Sequence, residues 1–456
     1  MRTSSLKAQL ASVLVLACFA ALAAPITAVA VPYGSGVSQS DNTVSFVLNQ
    51  NAASVEVLRD GANPVYPGTT AGLLSFDMAG YSTFQIKVTG NEAPGWTQYV
   101  ADQTSTSFYV PVGVSVNKIP SSPDFGKVYI SNATTGTTAF GRSNPEGIYM
   151  LRADGQDVGK GAAAGVTWGG GSGPWKSTIG RDGHVYVTDL SNDLAYEFDG
   201  NITAGTQLIT AGNRTTNQWV GGIHVEGTQA GGDRKIYLVN VNYNDTARKG
   251  LIAYDLGGNA TATAGDTGTQ VVGPAYFTFY PYDVARDSHG DWYLNQYRSD
   301  PTQAPAITKF DGSGTLPLGD TPSEVLWETP KVAPYNGAYA IDINENAGLV
   351  AYGNYYTGEV NFFDMATGAF VESFDAGTRM REVAFDAAGN LLTVDNMTEW
   401  ARFWSPGGYT VATTGWDGTQ WTFAVVPEPS SLSLLAFGGL ALLLGRGLAF
   451  LRRRRS

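Results

Sequence analysis

The chain has 456 residues, a formal charge of −12 and 40 acidic against 28 basic residues. Setting aside seven basic residues at the two ends leaves 21 and a body near −19, which repels nucleic acid and anionic lipid headgroups. Fifty-six glycines, 12% aromatic and 15% charged residues fit a turn-rich all-β protein, because tight turns need glycine and strands favour aromatic and β-branched side chains.

The first 30 residues read as a secretory signal: Arg2 and Lys7 form a basic n-region, Leu10 to Ala24 an apolar stretch, and Ala28-Val29-Ala30 a cleavage site, with Ala21-Leu22-Ala23 as a rival. Cys18 is the only cysteine and lies in this segment, so the expected mature chain has neither disulfides nor thiol chemistry. A lipoprotein reading of Val15 to Cys18 is weakened by the cysteine falling in the middle of the apolar run.

Residues 33–111 carry alternating runs, TVSFVLN, SVEVLRD, LLSFDMAG and TFQIKVTG, separated by Gly, Pro and Asn turns. Period-2 alternation at this spacing predicts an antiparallel sandwich. The run GTTAGLLSFDMAGYSTFQIKVTG resembles bacterial immunoglobulin-like modules.

From residue 112 to 424 six segments stack, each an alternating strand, a polar turn and a second strand. Equivalent positions are Tyr129, Tyr186, Tyr237, Tyr293, Ala351 and Leu392, spaced by 57, 51, 56, 58 and 41. Further strands follow in GIYMLRADG, LAYEFDGN, LIAYDLGG, AITKFDGSG and VNFFDMATG. Units of this length with three or four short strands predict a six-bladed β-propeller, a seventh divergent blade remaining open. VYVTDLSNDLAYEFDGN (185–201) resembles an NHL-type or lactonase-like blade. YTVATTGWDGTQWTF (409–423) is expected to complete the last blade, and a strand near 113–117 to close the ring.

Three places after each anchor stand Asn132, Asp189, Asn240, Gln296, Asn354 and Asp395; near the start of the first strands lie Trp175, Trp219, Tyr282, Tyr339 and Arg381. Loops leading into first strands share a face with those joining second and third strands, so these residues ring one channel mouth. Two readings stand side by side. The set could bind a ligand, with rings stacked on sugar faces and Asn and Asp holding hydroxyls or a Ca²⁺ ion. Alternatively the polar residues cap their own hairpin turns and the rings pack between blades, as repetition in every blade favours. His184 and His289 fall in turns of the opposite face, whereas His224 and Asp283 sit on first strands and could face the channel. Lactonase-like propellers hold a divalent metal, but that constellation has no residue-by-residue match here, so no metal ligands are assigned. No phosphate-cradling loop, zinc-protease motif or nucleophile elbow is present; Gly169 to Gly173 reads as a blade-connecting loop.

The C-terminus (425–456) combines Pro427-Glu428-Pro429, an apolar stretch at 432–451 long enough to span a bilayer, and Arg452, Arg453, Arg454 and Arg455, which favour the cytoplasmic side. This tripartite tail resembles the PEP-CTERM sorting signal, found also on some ice-binding proteins. The resemblance implies processing by a membrane-embedded exosortase and delivery to the cell surface or extracellular matrix. The expectation is thus a non-enzymatic, cofactor-free exported protein whose propeller binds exopolysaccharide or a surface protein; the alternative is a metal-dependent hydrolase or lactonase.

Overall fold

A computed structural model describes residues 31–427 except 92–94, 161–164, 211–212, 214–218, 242–247, 298–301, 303, 313–323, 333–336 and 409. The expected signal, and Glu428, Pro429 and the rest of the expected sorting tail with its apolar stretch 432–451, therefore lie outside the described residues. Among the described residues no helix is long and apolar enough to cross a membrane.

The chain is all-β. Six four-stranded antiparallel sheets follow one another, and their first strands adjoin in a closed cycle, the arrangement of a β-propeller. Blade 1 begins with Pro111–Val116, blade 2 with Ser177–Ile179, blade 3 with Val220–Glu226, blade 4 with Tyr280–Arg286, blade 5 with Ala338–Asn344 and blade 6 with Met380–Phe385. The six anchor positions occupy the second strands, and each is at most 2% exposed. These strands are buried on both faces between neighbouring blades, which is why they read as nearly continuous apolar runs.

Ring closure differs from the sequence expectation. The strand near residue 113 is the innermost strand of blade 1, and the two-residue strand Thr97–Gln98 supplies the outer strand of blade 6 by pairing with Trp404 and Ser405. So short a strap needs side-chain anchors. Trp96 stacks on Phe362 and Phe374 of blade 5 at 4.8 and 5.3 Å, while Asp102 accepts Arg402 Nη2 at 2.8 Å.

The hairpin Thr410–Trp416 and Trp421–Pro427 also departs from expectation: it belongs to the N-terminal sandwich and not to the last blade. Thr410–Trp416 pairs along Phe84–Thr89, extending a five-stranded sheet completed by Ser54–Arg59 and Asn63–Val65. A three-stranded sheet of Gly34–Ser40, Thr43–Leu48 and Gly72–Asp77 packs against it. Val44, Phe46, Val55, Val57, Ile86 and Val88 form the shared core at 0–1% exposure, as their alternation dictates, and Trp416 and Trp421 cover its edge. The hairpin fits this site because Trp416 and Trp421 reach the sandwich core, Ala412, Phe423 and Val425 join Tyr33 and Phe125 at the contact with the propeller, and the outer edge of blade 6 is already taken. The sandwich in turn rests on the propeller's turn face, where Tyr33, Phe125 and Phe423 meet edge-to-face at 5.1–5.8 Å and Asn390 Nδ2 donates to Val31 O at 3.0 Å.

A chain ending at Gly408 is expected to lose hydrogen-exchange protection along Phe84–Thr89 while blades 2 to 5 keep theirs. Loss confined to blade 6 would contradict this pairing.

Candidate binding face and central channel

At one level of the channel the first strands, or the residues immediately before them, place six equivalent residues: Gly113, Lys176, Gly222, Asp283, Ala340 and Glu382. Three are charged and three are small. Lys176, 1% exposed, crosses from blade 2, bringing Nζ to 2.6 Å from Glu382 Oε2 and 3.6 Å from Asp283 Oδ2. The ammonium also donates to the carbonyls of Tyr339 at 3.1 Å and Arg381 at 2.6 Å, tying blade 2 to blades 4, 5 and 6. The carboxylates are held from the backbone: Asp283 accepts Val284 N and Ile341 N, and Glu382 accepts Val383 N. The small positions are needed for this crossing. A Cβ at Gly222 would lie 2.4 Å from Asp283 Oδ1, and one at Gly113 would lie 2.2 Å from the Trp175 carbonyl.

One ammonium cannot neutralise two buried carboxylates. Burial first, and then repulsion from Asp283, pushes Glu382 well above the ordinary carboxyl range, and burial raises Asp283 as well. The pair is best described as sharing a proton, which leaves the cluster neutral.

On the side of the loops leading into the blades, this crossbar is roofed by rings. Tyr282 stacks on Tyr339 at 4.3 Å and Tyr339 on Tyr355 at 5.1 Å; Trp175 meets Tyr339 edge-on at 6.1 Å. The Arg381 guanidinium lies over Tyr339 at 4.8 Å and Tyr355 at 4.7 Å. The structure thus brings together four of the five residues expected at the mouth, but Trp175, Tyr282 and Tyr339 are only 3–6% exposed and form a plug. Trp219 stands apart at 41% exposure, its backbone at φ 49° and its N–H given to Asp193.

The polar set is engaged in capping and loop bonds. Asp189 accepts the backbone N–H groups of Gly169, Ser191 and Asn192; Asp395 accepts those of Thr378, Arg379, Met397 and Thr398. Asn354 holds Tyr356 N and Thr357 N, Asn240 donates to Arg248 O, Asn132 accepts Val110 N, and Gln296 accepts Phe279 N. The side chains that face solvent are others: Tyr297, Tyr355 and Tyr356, joined by Arg379 over Tyr355 at 4.8 Å and Lys249 over Tyr280 at 5.9 Å. Tyr356 is 45% exposed and stacks on Tyr297 at 5.6 Å, with their hydroxyls 2.7 Å apart. The missed signal was one residue further along: immediately after the polar set stand Ala133, Leu190, Val241, Tyr297 and Tyr355, all within or packed against the plug cluster.

Below the crossbar a cavity of about 620 Å³ opens on the face of the first-to-second-strand turns, between Lys118, Asp342, Glu345 and Asp386, with Phe423 of the sandwich at its edge. His224 and Asp283 both line it. Burial keeps His224 neutral, with its pKa lowered to about 4, between the rings of Trp292 and Tyr237. Asp182, His184 and Glu197 are the one group among the described residues close enough to share a metal ion. They lie on blade 2, away from the channel axis, and are engaged with one another, with Tyr186 and with Arg234.

No protein-family model and no curated protein matches this chain. Solved structures do overlap with it. A protein of unknown function from Bacteroides thetaiotaomicron is 12% identical, covering 83% of this chain and 100% of that one at a TM-score of 0.46. Virginiamycin B lyase from Staphylococcus aureus is 16% identical, with 73% and 87% covered at 0.36. A chain of the nidogen/laminin complex is 12% identical, with 66% and 94% covered at 0.43. Likenesses this distant say nothing of what the chain binds.

Lys176→Met strands the two carboxyls and is expected to cost about 3–5 kcal/mol at pH 7, by urea unfolding. The loss shrinks near pH 4, where both carboxyls can be protonated. Because the folded-state pKa of Glu382 lies above its unfolded value, the stability it contributes is complete below about pH 4 and declines as pH rises toward that folded pKa. Glu382→Gln should flatten this decline; an unchanged pH profile would rule out the proton-sharing pair.

Proposed function

We propose that this is an exported cell-surface or matrix protein whose NHL-like propeller is a non-catalytic carbohydrate-binding module. In this reading the signal ends near Ala30. An exosortase processes the tail at Pro427-Glu428-Pro429, with Arg452 to Arg455 retained on the cytoplasmic side until cleavage. The N-terminal sandwich is an immunoglobulin-like module, and its edge strand Trp421–Pro427 passes directly into the sorting tail.

The observation that carries the binding role is the platform of Tyr297, Tyr355 and Tyr356 above a plugged mouth. Rigid, partly exposed rings supply the flat apolar surface that a pyranose face covers, at little entropic cost. With the crossbar and plug beneath them, the platform has no open path to the cavity, so it suits a ligand lying across the surface. The hydrolase alternative finds its support in the cavity, where neutral His224 and the acid pair border one space. A metal-dependent version would need ligands other than the blade 2 group, whose atoms are already engaged.

With the host's exopolysaccharide as probe, Tyr355→Ala and Tyr356→Ala should each weaken binding by about 2–10-fold, and Tyr66→Ala on the sandwich should leave it unchanged. Ester or lactone turnover abolished by His224→Ala would favour the hydrolase instead.

A further inference from the structure

The platform differs from the rest of the molecule in the state of its cations. Among the described residues most enclosed bases elsewhere are matched: Arg234 with Glu197, Arg286 with Glu226, Lys309 with Asp287 and Asp291, Arg402 with Asp102; Arg248 and Arg59 instead give their guanidinium groups to backbone carbonyls. Around the platform, Lys249, Arg379 and Arg381 form no ion pair among the described residues, only contacts over Tyr280, Tyr355, Tyr339 and Trp175. Lys249 is 8% exposed, and the Arg381 Nε is buried without a hydrogen-bond acceptor. Among the described residues several carboxylates on this face are taken, Asp189 and Asp395 by backbone N–H groups, Asp193 by Trp219 N and Glu399 by Ala139 N, while Glu146, with one oxygen buried and unbonded, makes no ion pair.

Enclosing a cation without a counter-charge is unfavourable, and a strongly acidic chain has many carboxylates with which it could be matched. The positions are also ordered. Lys249 stands beside Tyr280 at one end, Tyr297, Tyr355 and Tyr356 lie between, and Arg379 and Arg381 stand at the other end, so rings and positive charges share one strip across blades 3 to 6.

We propose that the platform recognises an acidic polysaccharide, its sugar rings on the tyrosines and its carboxylates on Arg381, Arg379 and Lys249. This rests on the carbohydrate reading above and narrows it to a polyanion. A guanidinium donates to a carboxylate in a paired, planar geometry. The anion also meets locally positive potential on a body that otherwise repels it.

The test titrates the processed protein with polygalacturonate and with the same polymer after reduction of its carboxyl groups, at low and high salt. Polygalacturonate is expected to bind about tenfold or more tightly than the reduced polymer and to weaken with salt. Arg381→Gln and Lys249→Gln should each remove about tenfold of the polygalacturonate affinity and leave binding of the reduced polymer unchanged. Should Arg381→Gln lower the melting temperature, Lys249→Gln and the salt dependence decide alone. Equal, salt-independent binding of both polymers, unaffected by either variant, overturns the polyanion assignment while the carbohydrate reading stands. Binding of neither polymer, or binding only of a protein carrying acidic side chains, overturns both.

Discussion

The Lys176 ammonium, set between Glu382 and Asp283 at the centre of the ring, is the contact on which the channel's architecture depends. It joins blade 2 to three blades across the axis, so the channel is divided where it would otherwise run through. Its geometry demands glycine at 113 and 222, since a side chain at 113 would strike the Trp175 carbonyl beside the lysine and one at 222 would displace Asp283. Buried ion pairs seldom add net stability, because desolvation offsets their attraction. Here burial raises both carboxyls above their ordinary range, which favours a shared proton and reduces the net charge enclosed.

That division gives the two ends different chemistry. Above the crossbar the rings of Trp175, Tyr282 and Tyr339 pack so closely that the mouth becomes a surface, and the rings stacked outside them, Tyr297, Tyr355 and Tyr356, become its texture. Below it lies a polar cavity whose edge is shared with the sandwich through Phe423. The sandwich therefore borders the open mouth, and the hairpin that fixes it there ends at Pro427, where the proposed sorting tail begins. Position on the fold thus connects sandwich and cavity edge, and leaves the aromatic platform facing away from them.

The propeller was legible because each blade repeats the same local requirements. A second strand buried on both faces needs an apolar anchor such as Tyr186 or Tyr293, and the turn before it needs an aspartate such as Asp182 or Asp287 to hold the backbone N–H groups of the bend. The polar set was legible for the same reason, and its architectural reading agrees with the bonds observed. What repetition concealed was the non-repeating chemistry. Lys176, Asp283 and Glu382 occupy equivalent places, yet only closure of the ring brings them together, and no local pattern marks a lysine as crossing an axis. Likewise Thr410–Trp416 has the alternation of any edge strand, and its partner, Phe84–Thr89, lies in a segment far removed in sequence. Thr97–Gln98 is too short to carry a period at all.

The most direct measurement is a crystal structure of the protein with a bound oligosaccharide of the proposed acidic polymer. Sugar rings seated on Tyr297, Tyr355 and Tyr356, with the Lys176 crossbar intact beneath them, are the predicted result. Sugar in the cavity beside His224, or a channel opened by separation of Lys176 from Glu382, would contradict it.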